Sequence, residues 1–260
     1  MNDATSGQHA PVRASVCMAT YRGSGFVEEQ IVSILRELGP HDELVVVDDA
    51  SPDETADVVR RFNDERIRLV VAPQNRGYVR TFEEAIRLSQ GKFIFLSDQD
   101  DVWVEGRLAA MMEALETVHV VASNFDVLGD GPRPWIPKLR SSDSGRNVAN
   151  LWGVLVGYRA YYGCAMGFRR EAVGLVVPIP SYVRESHDLW LAICGNTARS
   201  IRHLDQSTIL RRLHGDNQTP AGWRSLRKIL AARLMLVRLM AEAFRRNRKR
   251  RLAPIGSWRP

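Results

Sequence analysis

The stretch Lys92-Phe93-Ile94-Phe95-Leu96-Ser97-Asp98-Gln99-Asp100-Asp101-Val102-Trp103 (KFIFLSDQDDVW) joins a short apolar run to three carboxylates within four positions. The apolar part reads as a buried strand. Like charges crowded at its end repel one another and lose hydration, so the cluster calls for a compensating partner. A divalent cation is the simplest one, and a solvated acidic turn is the alternative.

Three more runs share the character of 92–96. Ala14–Met18, Glu43–Val47 and Arg66–Val71 are short, apolar and rich in β-branched residues, so all four are expected as strands. Between the first two, Val27, Ile31, Ile34, Leu35 and Leu38 recur at helical spacing until Gly39-Pro40. Ser51-Pro52-Asp53-Glu54 reads as the start of a second helix through Phe62, with Ser51 as N-cap and Pro52 in first position. A third helix is expected from Tyr78 to Ser89, ahead of Gly91. Strand alternating with helix predicts an α/β protein with a mostly parallel sheet covered on both faces, which takes ligands at the carboxyl ends of its strands. Thr20-Tyr21 follows the first strand, Asp48-Asp49 the second and Asp98-Gln99-Asp100 the fourth. All three therefore face one crevice, and an ordinary solvated turn becomes a poor account of the acidic stretch. Residues 129–150 open on a Gly/Pro loop and show no pattern that assigns an element.

The chain has 260 residues, 45% of them hydrophobic, which is enough for one sizeable core and excludes global disorder. Cys17, Cys164 and Cys194 are odd in number and far apart, without CxxC spacing, so neither a disulfide framework nor a zinc site is expected and a reducing cytoplasm fits. The polar N-terminus lacks a signal-like apolar core, and no apolar run approaches the roughly 20 residues of a membrane span. The net charge of +6 is uneven: Gly222 to Pro260 holds 12 Lys and Arg against Glu242 alone, a charge of +11, and the remainder carries −5. The expected organisation is a flexible segment 1–12, a catalytic domain 13–218 and a basic helical tail 219–260.

Gly23-Ser24-Gly25 lacks the third glycine of a dinucleotide fingerprint, and no GxxxxGK[ST] phosphate loop exists. A metal held by carboxylates would instead offset a diphosphate, a hard-oxygen arrangement suited to Mg²⁺ or Mn²⁺. ATYRGSGFVEEQIVSIL (19–35), VVVDDASPDET (45–55), NRGYVRTFEEAI (75–86) and GKFIFLSDQDDVW (91–103), followed by YGCAMGFRRE, SHDLWLA and LRRLHGDNQ, resemble family 2 glycosyltransferases of the GT-A fold over roughly residues 13–218. The SDQDDVW and HDxW forms are similar to those of bacterial enzymes that build rhamnose-containing polysaccharides. The resemblance implies a Rossmann-like mixed sheet flanked by helices and a nucleoside-diphosphate sugar donor, dTDP-L-rhamnose or otherwise a UDP-hexose. It implies that Thr20 and Tyr21 flank the base and that Asp49 accepts the pyrimidine imide N–H. It further implies that Asp98 or Gln99 contacts the ribose, that Asp100 is the principal metal ligand, and that Asp101 supports the site or starts the next turn.

Inverting transfer needs a base that removes the acceptor hydroxyl proton. In the family pattern that base is Asp188, within Glu185-Ser186-His187-Asp188-Leu189-Trp190; a helix N-cap is the other reading of the same residue. His214 resembles a late family histidine near metal or diphosphate, with a structural histidine as the alternative. Gly163, Cys164, His187 and Trp190 are expected near sugar or acceptor, although the Cys164 sulfur and the Trp190 ring also suit ordinary packing. A sugar nucleotidylyltransferase would require a GxGxR loop that Met18-Ala19-Thr20-Tyr21-Arg22 does not supply. A non-catalytic carbohydrate-binding scaffold would not need both the acidic stretch and Asp188.

From Trp223 to Arg251, residues Leu226, Ile229, Leu230, Leu234, Val237, Met240, Ala241 and Phe244 fall on one side of a helical wheel, with arginines mainly opposite. Packing on the domain and docking on an anionic membrane surface are both expected uses of such a helix. The second would make the protein peripheral on the inner face of the cytoplasmic membrane, beside a saccharide or lipid-linked acceptor. Nucleic acid is disfavoured, because the acidic body offers no aromatic-basic groove.

Overall fold

All four apolar runs form strands in the computed structural model, which describes residues 10–129, 136–213, 225–249 and 252–257. They are β1 (Ala14–Thr20), β2 (Asp42–Asp48), β3 (Ile67–Val71) and β4 (Phe93–Ser97), separated by helices α1 (Val27–Leu35), α2 (Thr55–Arg60) and α3 (Tyr78–Leu88). The chain continues through β5 (Val102–Trp103), α4 (Arg107–Leu115), β6 (Val120–Val127), α5 (Asn147–Val156), β7 (Met166–Arg169), α6 (Val173–Val176), α7 (His187–Thr197), β8 (Ile201–Arg211) and α8 (Leu226–Lys249). The strands form one sheet in the order β3-β2-β1-β4-β7-β6-β8-β5. β3, β2, β1 and β4 are mutually parallel; β7 runs antiparallel between β4 and β6.

Alternation along the strands explains why their sequences are apolar throughout. Val16, Met18, Leu44, Val46, Phe93 and Phe95 enter one buried cluster with α1, α2 and α4. Cys17, Val45, Val47, Ile94 and Leu96 enter another with α3, α7 and α8. Side chains of a strand alternate between faces, so a sheet covered twice must be apolar at every position.

Two local expectations are corrected. The second helix starts at Thr55 rather than at Pro52, because Ser51 is drawn away from it: its N–H and hydroxyl both donate to Asp48, at 2.8 and 2.6 Å. On α8, the face buried against the domain carries Leu236, Leu239 and Ala243, while Leu230, Leu234, Val237 and Phe244 of the expected stripe are exposed. Apolar residues occur on more than one side of this helix, so the wheel alone does not decide which side meets the core. Residues 1–9, His214, Trp223, Arg250, Arg251 and the expected boundary at 218/219 lie outside the described residues. Among the described residues no helix is long and apolar enough to cross a membrane. The unassigned stretch before residue 150 contains the start of α5, and the three cysteines are buried and unpaired.

Gly91 closes α3 onto β1: its N–H donates to the Ser15 hydroxyl at 2.7 Å, and a Cβ there would lie 2.6 Å from the Ser15 backbone nitrogen. Backbone cannot yield as a side chain can, so Gly91→Ala is expected to destabilise by about 1–3 kcal/mol in urea unfolding. Gly25→Ala, with no atom within 4 Å of the new methyl, is expected to stay within about 0.5 kcal/mol of the parent. Equal midpoints for the two variants would contradict this packing.

Candidate active site

Parallel pairing sets Thr20 opposite Asp48 and Met18 opposite Ser97, so the segments leaving β1, β2 and β4 emerge together. Thr20 donates its hydroxyl to Asp48 at 2.9 Å, and with Ser51 this gives the buried Asp48 carboxylate three donors. Asp49 accepts the backbone N–H of Arg76 at 2.9 Å on one oxygen and that of Gly77 at 2.8 Å on the other. It thereby fixes the turn that opens α3, where Gly77 has φ +82°. Carboxylate oxygens have lone pairs beyond these two bonds, so Asp49 can still accept a ligand N–H.

Gln99 does something that its spacing did not suggest. Its Oε1 accepts the Tyr21 N–H at 2.8 Å and its Nε2 donates to the Tyr21 carbonyl at 2.9 Å. A Cβ on Gly23 would lie 2.2 Å from that Oε1, so the glycine lets the amide reach the loop. Gln99 is thus turned to the main chain of the β1–α1 loop, which leaves Asp98 as the ribose candidate of the pair. Tyr21 is 38% exposed at the crevice mouth.

Burial raises the pKa of Asp98 first, and the nearby Asp101 and Asp100 raise it further; Arg211 and Asp188 also act on it, in opposite directions. Asp101 is raised by burial and then by Asp100, with its Oδ1 accepting the Arg212 N–H at 3.3 Å. Its Oδ2 is buried and has no hydrogen-bond partner among the described residues. Ligand atoms of Asp98, Asp101 and Cys164 lie within 4.8 Å of one another, a group to which Asp100 does not contribute. The Cys164 thiol is pushed well above its usual range by burial and then by the two carboxylates, so it stays protonated there. Hard carboxylate oxygens, one of them orphaned in the interior, make a donor set that fits a divalent cation such as Mg²⁺ or Mn²⁺.

Two arginines missed at the level of sequence hold this cluster. Arg211, at the end of β8, stacks over Phe125 and Tyr162 with its Cζ 5.4 and 5.1 Å from the ring centroids, and its charge acts on Asp98, Asp101 and Asp188. Arg107 is fully buried, donates to Thr208 Oγ1 and to the Cys164 carbonyl, and is lowered to about 10 by desolvation. Their relation to the carboxylates depends on how β8 and the 163–165 turn return to β4, which no local pattern encodes.

Asp188 lies in the first turn of α7, one residue inside it, and its Oδ1 accepts its neighbour's Leu189 N–H at 2.7 Å. The N-cap position belongs to Ser186, whose side chain makes no capping bond. Burial raises Asp188 to about 6. His187 is wedged behind the crevice. It stacks on Phe82 at 4.5 Å, and a Cβ on Gly163 would lie 2.5 Å from its Nε2. Desolvation lowers it to about 4, so the ring is neutral, and neither ring nitrogen has a partner among the described residues. Trp190 is sealed in the core with its Nε1 donating to the Val176 carbonyl at 2.8 Å, so of its two readings packing agrees with the structure and the place near the acceptor does not: the ring has no surface to offer. Gly163 and Cys164 are both buried, the first against His187 and the second beside Asp98 and Asp101.

The Gln99 clamp is open to direct measurement. Gln99→Ala is expected to speed hydrogen exchange of the Tyr21 amide by about tenfold or more, with amides in the middle of β1 unchanged. An unaltered Tyr21 rate would show that the loop does not depend on this side chain.

Comparison with known proteins gives a consistent result. The family model described as Glycosyl transferase family 2 matches residues 15–175. The Escherichia coli UDP-Glc:alpha-D-GlcNAc-diphosphoundecaprenol beta-1,3-glucosyltransferase WfgD is 26% identical over 118 residues, 45% of this chain and 47% of its own length. The chain spans about half the length of the first curated relatives it matches, or less. The structure of S. aureus TarS 1–349 in complex with UDP-GlcNAc superposes with a TM-score of 0.66 at 15% identity, covering 91% of this chain and 73% of that one. The mannosyltransferase PcManGT from Pyrobaculum calidifontis, in complex with GDP-Man and Mn²⁺, gives 0.58 at 20% identity, covering 96% and 77%. The common feature is the GT-A fold.

Proposed function

The chain belongs to glycosyl transferase family 2, and on that premise we propose that it moves a sugar, with inversion, from a pyrimidine nucleoside-diphosphate sugar to a hydroxyl of a saccharide or lipid-linked acceptor in cell-surface polysaccharide synthesis. The observation that carries this reading is the convergence of Asp98 and Asp101, whose ligand oxygens lie within 4.8 Å of each other, beside the strand ends that carry Thr20 and Asp49. A sugar nucleotidylyltransferase has no support in the family match. UDP-hexose as donor is supported by the names of the Escherichia coli and TarS neighbours; dTDP-L-rhamnose rests on the SDQDDVW and HDLW resemblance. The acceptor reading draws on the diphosphoundecaprenol in the relative's name, and a position at the cytoplasmic face of the membrane is part of the same proposal.

Thr20, Tyr21 and Asp49 would bind the base and Asp98 the ribose; Asp100, from the motif, and Asp101, from the gathered carboxylates, would hold a divalent cation. His214 is proposed as a further ligand from the motif alone. Bound there, Mg²⁺ or Mn²⁺ offsets diphosphate charge and stabilises it as leaving group. Asp188, raised to about 6, is ionised at neutral pH yet basic enough to accept the acceptor hydroxyl proton. As that oxygen bonds to the anomeric carbon, the bond from this carbon to the diphosphate breaks and its electron pair leaves with the phosphate oxygen. Arg211 supplies positive charge beside the carboxylates, toward which the diphosphate must be drawn.

Asp188→Asn is expected to slow transfer by roughly 10² to 10⁴ while donor affinity stays unchanged. The parent rate should fall with pH below about 6 as the base protonates. The folded carboxyl titrates above its unfolded value, so it binds protons more readily when folded and costs stability as pH rises from about 4 through 6. The same variant should therefore melt higher than the parent at neutral pH. Full-rate transfer with a lowered melting temperature would assign Asp188 a structural role.

Asp100→Asn and Asp101→Asn are each expected to weaken activation by Mn²⁺ by about tenfold or more. Turnover measured by mass across a panel of nucleotide sugars decides the donor: transfer from dTDP-L-rhamnose supports the rhamnosyl reading, and exclusive use of a UDP-hexose removes it.

A further inference from the structure

α8 buries Leu236, Leu239 and Ala243 against the domain, yet it also presents a second apolar stripe outward. Leu230 is 72% exposed, Leu234 59%, and Val237 and Phe244 49% each. Their spacing of four, three and seven residues keeps them on one face of the helix. α5 adds to the same display: Trp152 is 64% exposed and Tyr158, just past its end, 63%. The two helices are tied at this edge, since Arg233 donates from Nη2 to the Val156 carbonyl at 3.0 Å, beside Leu234. Exposed apolar residues thus gather on two elements joined by that bond, a display that points to an interaction surface.

The charge around the patch identifies its occupant. α8 carries eight Lys and Arg against Glu242. That one carboxylate is bound by Arg245 and Arg246, whose hydrogen bonds and charge hold it down at about 2. Arg227, Arg238, Arg245 and Arg248 are exposed, and at 3.6 residues per turn they flank the stripe rather than lie opposite it as the wheel reading had them; Lys228 is exposed on the far side. A second copy of the chain on this face would set arginine against arginine with no acid to answer it. An anionic lipid surface meets both features at once: the acyl boundary takes the leucines and Phe244, the headgroups take the arginines, and Trp152 and Tyr158 suit the headgroup level.

We propose that the outward face of α8, together with Trp152 and Tyr158, is a docking surface for an anionic lipid bilayer, with α8 lying in the plane of the interface. Arg238 stands 5.9 Å over the ring of Tyr182, a half-exposed residue on the segment that leads into α7 and Asp188. Binding is read without turnover, so this surface stands or falls independently of the proposed transfer reaction.

The test is flotation of the whole chain with vesicles of phosphatidylcholine containing about 30% phosphatidylglycerol, compared with phosphatidylcholine alone. The chain is expected to float with the anionic vesicles, less so as salt rises. A triple substitution, Leu230→Ser with Leu234→Ser and Phe244→Ser, should reduce binding by about tenfold or more, as should Arg227→Gln with Lys228→Gln and Arg248→Gln. Melting temperatures should remain near that of the parent. Anionic vesicles should shift tryptophan emission to the blue, and Trp152→Phe, which is conservative and exposed, should remove that shift. No flotation by the intact chain, or flotation that neither set of substitutions alters, overturns the proposal. A dimer in lipid-free buffer that the apolar substitutions dissolve, without vesicle binding, also overturns it and gives the face to a second copy.

Discussion

Parallel hydrogen bonding of β1 to β2 on one side and to β4 on the other is the constraint on which the rest of this molecule depends. Parallel strands start and end together, so three loops that are distant in sequence leave the sheet at one edge. Thr20 reaches Asp48, and Gln99 reaches Tyr21, only because of that register. The first joins two side chains at the strand ends, and the second, with its reciprocal bond, satisfies the Tyr21 backbone where it has left the ladder.

The same edge concentrates charge that the interior resists. Asp98, Asp101 and Asp188 all have carboxyls displaced upward by burial, which means that the folded protein holds them at a cost. Arg211, stacked on two aromatic rings, and Arg107, fully buried, limit that cost without cancelling it. Strain of this electrostatic kind is characteristic of functional sites, because a charged ligand removes it on binding. A structural role alone would be met better by apolar residues at these positions.

The placement of Asp188 relies on a chain of contacts that begins in α3. Arg80 donates to the carbonyls of Ile179, Pro180 and Val183, and Glu83 accepts the Ile179 N–H, so the segment before α7 is strapped to α3 by main-chain bonds. The Tyr78 hydroxyl accepts the Ser186 N–H, and His187 fills the gap between Phe82 and Gly163. With both sides of the α7 N-terminus fixed, the position of Asp188 in the first turn of that helix is fixed with it. α8 closes the back of α7, with Arg246 over the ring of Trp190 at 5.0 Å.

Sequence by itself determined the first four strands, the three helices between them, the shared edge of Thr20, Asp49 and Asp98, and the family resemblance. Each of these is written in local periodicity or in the residue that follows a strand, and local physics is enough to read it. It did not determine that Ser51 would leave its helix for Asp48, or that Gln99 would turn to Tyr21 instead of the crevice. Nor did it reveal that Leu230 and Leu234 would stay outside, or that the charge of Arg211 would act on carboxylates more than a hundred residues away. Those outcomes depend on which groups compete for one donor or one face after distant segments have met. A hydroxyl, an amide or an apolar stripe has several acceptable partners until the tertiary structure brings a particular one within bonding distance.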